Sequence, residues 1–186
     1  FLATNTSGTS AVSIGNTSTS SQYCVAIGNS ADASTNAVAI GINTDASANG
    51  VAIGNAASVI NDNGVAIGIN TSSAQDAVSI GNNADATGTD SVAIGKTTTA
   101  SGTNTIAIGT VNNINENNAV AIGINSTASA DSAVAIGNAA DASTNGVAIG
   151  SNTRADSSTV AIGLDASTNN VLATSSVVIG NSSYVS

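Results

Sequence analysis

Side chains able to do chemistry are few in these 186 residues. There is no histidine, one cysteine (Cys24), eleven Asp and Glu together, and two cations, Lys96 and Arg154. Covalent catalysis needs a hydroxyl or thiol beside a base. Neither Cys24 nor any of the many Ser and Thr has an evident base, so no enzyme activity, catalytic residue or cofactor is expected. Metal chemistry rests on Asp32 and Asp45, which fall in one column of a repeat on neighbouring coils. Calcium wants roughly six to eight oxygens, and the calcium-binding nonapeptide pattern is absent. A solvated aspartate column is therefore favoured over a metal site, with Asp32 and Asp45 the candidates if one exists. Five Asn-x-Ser/Thr sequons, at Asn5, Asn16, Asn70, Asn125 and Asn181, would accept glycans only if the source glycosylates outside the cell.

Composition removes further classes. Only 7% of residues are charged and the net charge is −9. Nucleic-acid binding and attachment to anionic lipid headgroups both need many cations, so neither is expected. No apolar run is long enough to span a membrane as a helix. The start FLATNTSGTS has neither an initiator Met nor a basic segment and reads as a processed product or excised segment. Hydrophobic residues make up 41%, almost all Ala, Val and Ile, with no Trp, Met, His or Pro. Such a chain builds a thin, regular interior from small pieces.

The elements that position these residues are set by a repeat. The tetrapeptide [VI]-[ASV]-I-G occurs thirteen times, its glycines running from Gly15 to Gly180. Of twelve spacings, six are 13, five are 14 and one is 17. Each VxIG predicts a short strand, because β-branched residues suit a pleated surface. The repeat core is carried by Val25, Ile27 and Gly28; Val38, Ile40 and Gly41; Val92, Ile94 and Gly95; and Val134, Ile136 and Gly137. In a strand Val25 and Ile27 share one face and Ala26 takes the other. Both faces are apolar, so the strand is expected to be buried on both sides.

A second strand is predicted three to five residues past each glycine. Small apolar residues recur at +3 and +5 (Ala31 and Ala33, Ala84 and Ala86, Ala140 and Ala142), with a polar residue at +4 (Asp32, Asp45, Asp85, Asn113, Asp141, Arg154). The extra residue of the longer coils must fall just before VxIG. A turn is signalled there by Asn49-Gly50, Asn63-Gly64 and Asn145-Gly146. The VxIG glycine marks the other turn, where close backbone approach favours a residue without Cβ. The 17-residue interval around Asn169–Ser176 is expected to bulge as a longer loop. Two strands and two turns per coil make a flattened, all-β parallel roll of about thirteen coils, a rod roughly 60 Å long.

The first assignment of faces puts Val and Ile inside against the +3/+5 alanines, leaving an Ala/Ser ladder outward; the reverse, Val and Ile toward partner chains, is open. Either way a flat, mostly apolar strip remains, which closed association would cover. A homo-oligomer is predicted, a trimer first. Cys24 falls in a column with Ala37, Gly50, Ser91, Ala119 and Gly146 and reads as a small apolar residue rather than a disulfide partner. Tyr23 and Tyr184 are expected to pack at the ends in preference to standing out.

The pattern S/A-V-A-I-G-x-x-A-x-A, as in Asp90-Ser91-Val92-Ala93-Ile94-Gly95 and Ser132-Ala133-Val134-Ala135-Ile136-Gly137, resembles the head repeat of trimeric autotransporter adhesins, the YadA-like family. The resemblance covers residues 11–183. It implies a left-handed parallel β-roll, three chains about an axis, and a place at the tip of a bacterial surface fibre that binds host matrix, cells or other copies. The family's neck, coiled-coil stalk and membrane-anchoring barrel have no counterpart in these residues, and the glycine usual in the second half of each repeat is often replaced. Residues 1–10 form an extension that contacts a neighbouring subunit in this reading, and 184–186 the end. The expected protein is an extracellular, cell-surface structural or adhesive fibre segment. The alternatives are a subunit that stacks end to end into filaments and, further off, an ice-binding solenoid. Against the last, Thr17, Thr87, Thr97, Thr99 and Thr103 do not form one column.

Overall fold

The computed structural model of the chain describes residues 4–6, 9–168 and 175–185. Among these there is no helix; the chain winds as a parallel β-solenoid. Every VxIG segment is a strand, from Val12–Ile14 to Val177–Ile179, and all thirteen lie in one parallel sheet in sequence order. Register is strict: Val65, Ala66, Ile67 and Gly68 pair with Val78, Ser79, Ile80 and Gly81. Two-residue strands such as Asp32–Ala33, Asp85–Ala86 and Asp141–Ala142 stack as the second side. That side is divided into nine strands and five, parting between Asn113–Ile114 and Thr127–Ala128.

The coil closes through two left-handed residues. Among the described residues, 26 non-glycine residues have positive φ. They fall at the second position after each VxIG glycine (Asn43, Asn70, Asn83) and the second position before each Val (Asn36, Asn49, Asn63). Asn tolerates this region because its short side chain bonds locally. The five longer coils place their added residue in the turn before VxIG, as the spacing predicts: two residues separate Ala33 from left-handed Asn36, and three separate Val59 from left-handed Asn63. The VxIG glycines have φ near +140°, which L side chains avoid, and a Cβ on Gly95 would overlap the carbonyl oxygen of Gly109 on the next coil. In Asn49-Gly50 it is Asn49 that takes positive φ; Gly50 is needed for space, its Cβ falling 2.9 Å from a methyl of Val59.

The interior overturns the first assignment of faces. Ala26, Ala31 and Ala33 are fully buried, as are their counterparts along the rod except in its end coils, whereas Val25 and Ile27 are only half-buried and point outward. Of the residues read as the repeat core, Val25, Ile27, Val38, Ile40, Val92, Ile94, Val134 and Ile136 therefore line the outside of the coil. A coil this short brings its two sheets too close for anything larger than Ala, Ser or Thr at most facing positions. The expected bulge near Asn169–Ser176 lies largely outside the described residues, and the ladder resumes across it with Val160 opposite Val177. Half of residues 1–10, the proposed subunit contact, also lies outside them.

Candidate functional site

Two long surfaces are offered for binding. The first is the outer face of the thirteen-stranded sheet. All 26 of its Val and Ile positions hold Val or Ile, with no charge among them. In the longer strands the residue after the glycine joins this face: half-exposed Ile42, Ile69 and Ile124 (with Leu164 at the equivalent place) in some coils, and Asn55, Asn82, Lys96 and Thr110 in others. The strip is two to three side chains wide and thirteen rungs long. The second surface is the polar +4 column with its flanking turns, which are mostly polar but include exposed Ile60 and Val111.

The turns carry amide ladders. Nδ2 of Asn36 donates to Oδ1 of Asn49 at 3.2 Å, Asn49 to Asn63 at 3.2 Å, and Asn63 to the Asp76 carboxylate at 2.9 Å. Asn70 donates likewise to Asn83, and Asn152 to Asp165. Such stacked amides stiffen the edge of a parallel stack. The polar face is thus a rigid array of Asn, Ser, Thr and Asp at coil spacing.

The candidate residues are not drawn into a chemical site. Asp32 and Asp45 do stand opposite one another in the ladder. Burial, and then the Asp32 charge, push the Asp45 carboxyl above its usual range; burial does the same to Asp85. No third carboxylate joins them: among the described residues no three His, Cys, Asp or Glu gather. Cys24 is buried in the small-residue column, its thiol donating to the Ser21 carbonyl at 3.0 Å, and burial raises its pKa. That location gives it the role of a small apolar residue. Tyr23 and Tyr184 are exposed, at 62% and 74%, so neither packs as an end plug. Asn16, Asn70, Asn125 and Asn181 are all exposed in the turn after the glycine; the side chain of Asn5 is outside the described residues.

Comparison with known proteins explains this arrangement. The family model for the YadA head domain repeat (2 copies) matches residues 72–96, 86–111 and 116–140. The crystal structure of the collagen-binding domain of Yersinia adhesin YadA superimposes over 80% of this chain and 70% of that chain, with a TM-score of 0.60 and 27% identity. The repeats within residues 72–111 and 116–140 are YadA-like head repeats. No curated protein sequence matches the chain significantly. In these coils the glycine column admits the next coil, the alanines fill the interior, and the Val/Ile strip faces outward.

What the sequence missed was the left-handed residue after each glycine. Asn at that place in five coils (Asn43, Asn70, Asn83, Asn125, Asn152) was the available signal, diluted by Thr, Ser, Ala, Val and Asp in the others.

Proposed function

We propose that the chain is an adhesive head segment of a cell-surface fibre, assembled as a homotrimer about its Val/Ile strip, with its polar +4 face and turns turned outward to an extracellular matrix ligand. The observation that carries this reading is the uninterrupted strip. At about 60 Å by about 10 Å it exposes on the order of 600 Å² of apolar surface on a single chain, the upper end of what monomers tolerate. Threefold packing buries it on every copy at once and leaves the polar face free. Matrix binding then comes from many weak contacts repeated at coil spacing on a rigid rod and multiplied by three chains. Collagen is the first ligand to test, being what the Yersinia domain is described as binding.

Sedimentation of the purified chain should give three times the chain mass, and replacing Ile94 and Ile108 with Asp should give monomers or insoluble protein. The trimer should adhere to immobilised collagen while the Asp variant loses that adhesion. A monodisperse, soluble monomer of the unaltered chain would overturn the assembly. A trimer that ignores collagen and other matrix proteins would overturn the ligand class alone.

A further inference from the structure

The second side of the roll is interrupted once. Elsewhere along it, at least one of the two backbone donors flanking each short strand reaches the next coil. Thr99 and Ser101 donate to the Asn112 and Ile114 carbonyls at 2.7 and 2.8 Å, and Thr127 and Ser129 to Ala140 and Ala142 at 2.8 and 2.9 Å. By the same register Asn113 and Asn115 should donate to Ser126 and Ala128, and neither does. Both residues are exposed at the surface of the coil.

The interior gives the cause. Ile114, Val59 and Asn112 are the largest fully buried side chains among the described residues. Two of the three belong to this one coil, at positions where the preceding coil holds Thr98 and Ala100. Asn112 is also turned into the corner. Its Nδ2 donates to the carbonyls of Ile108 and Gly123 at 2.9 and 3.1 Å, and its Oδ1 accepts the Ser126 N–H at 3.0 Å. The side chain thus ties the corner shut while the strand beyond it stands apart. The VxIG sheet is undisturbed, Ile106–Thr110 pairing with Val120–Ile124 at all five positions.

We infer that the head carries a built-in weak rung between Asn113–Ile114 and Thr127–Ala128, where the second sheet yields first and the two coils are joined by the VxIG sheet, the turn bonds and the Asn112 side chain. The inference is independent of the ligand and of trimer formation. Its consequence is local compliance: a rod bent by lateral load opens here, on the polar side, before any strip residue is uncovered.

Residue-resolved hydrogen exchange on the assembled protein tests it. The Asn113 and Asn115 amides should exchange at least about 100-fold faster than those of Thr99, Ser101, Thr127 and Ser129. Replacing both oversized residues, Asn112→Thr with Ile114→Ala, should bring them to the protection of their neighbours. The milder Ile114→Val should slow them part-way. Equal protection in the unaltered chain overturns the inference, as does a folded variant in which the two amides stay fast.

Discussion

Val59 and Ile114 occupy the same position of their coils, five residues past the VxIG glycine, and each replaces the usual alanine with a larger side chain. Both are fully buried. Around Val59 the ladder is intact: Ser47 N–H reaches the Val59 carbonyl and Ile60 N–H the Ser73 carbonyl. Around Ile114 it is lost on the following side. The difference lies in the slot just before each VxIG strand. Beside Val59 that slot holds Gly50 and Gly64, where a Cβ would fall 2.9 and 2.8 Å from the same Val59 methyl. At the equivalent places beside Ile114 stand Thr105 and Ala119. One region trades volume between neighbours and keeps its hydrogen bonds; the other keeps the volume and gives up two of them. In an interior one alanine thick, a few methyl groups decide whether adjacent coils can bond.

The largest test restores the missing methyl. Gly50→Ala should cost about 2 kcal/mol by overpacking against Val59. In a Val59→Ala background the same change should cost less than about 0.5 kcal/mol, because Ala37 beside Ala33 already shows that combination fitting. Val59→Ala alone should cost about 2 kcal/mol through the cavity it leaves. Ile114→Ala removes more carbon yet should cost less than Val59→Ala, since two ladder bonds return as the space closes. Urea unfolding at one fixed protein concentration measures all four, as assembly makes stability concentration-dependent. Additive costs for Gly50 and Val59, or an Ile114→Ala cost above that of Val59→Ala, would remove the volume argument.

The period and its punctuation made most of this architecture legible. Thirteen glycines fixed the rungs, the +3/+4/+5 alternation fixed the second strand, and the two registers together located the inserted residue. The facing of the VxIG strand stayed open, with the wrong face placed first, because larger apolar residues are ordinarily the interior ones. Here the spacing between sheets is the controlling quantity, and it shows in sequence only as smallness on both facing columns: Ala26 against Ala31 and Ala33. Read that way, constant small size marks the inside, and the β-branched pair with its added Ile42, Ile69 and Ile124 marks the outer face. The candidate site was legible as a polar array but not as a ligand. An array in which, among the described residues, no three metal-ligating side chains gather leaves its specificity in coil spacing and shape, which a residue pattern does not encode.

The Ile114 coil also contains Val111 at the left-handed position after its glycine, with φ 58° and half its surface exposed. A β-branched residue is strained there, and five other coils use Asn. Val111→Asn should raise stability by about 1 kcal/mol. Because the gain is local strain relief, it should leave the open rung open: the Asn113 and Asn115 amides should exchange as before. A thermal midpoint unchanged or lowered, in a correctly assembled protein, would contradict the strain.

The Val59 side carries the smallest effect. The rung before it places Asp45 against Asp32, like charges directly opposed, with Ser58 on Asp45's other side. Burial and that neighbour raise the Asp45 pKa above its unfolded value. The folded chain therefore binds more protons than the unfolded one in the window between the ordinary carboxylate pKa, about 4, and the raised value. Stability contributed by protonation is present at the low end of that window and falls as pH rises through it. Mild acid should thus stabilise this rung, opposite to the usual effect on a paired carboxylate. Asp45→Asn should stabilise the neutral-pH protein by ~0.5 kcal/mol and flatten the slope in that window, while Asp85→Asn, whose carboxyl is raised by burial without a facing charge, should flatten it as well. A slope of the opposite sign, or one untouched by both substitutions, would show that neither carboxylate pays a folding cost for its charge.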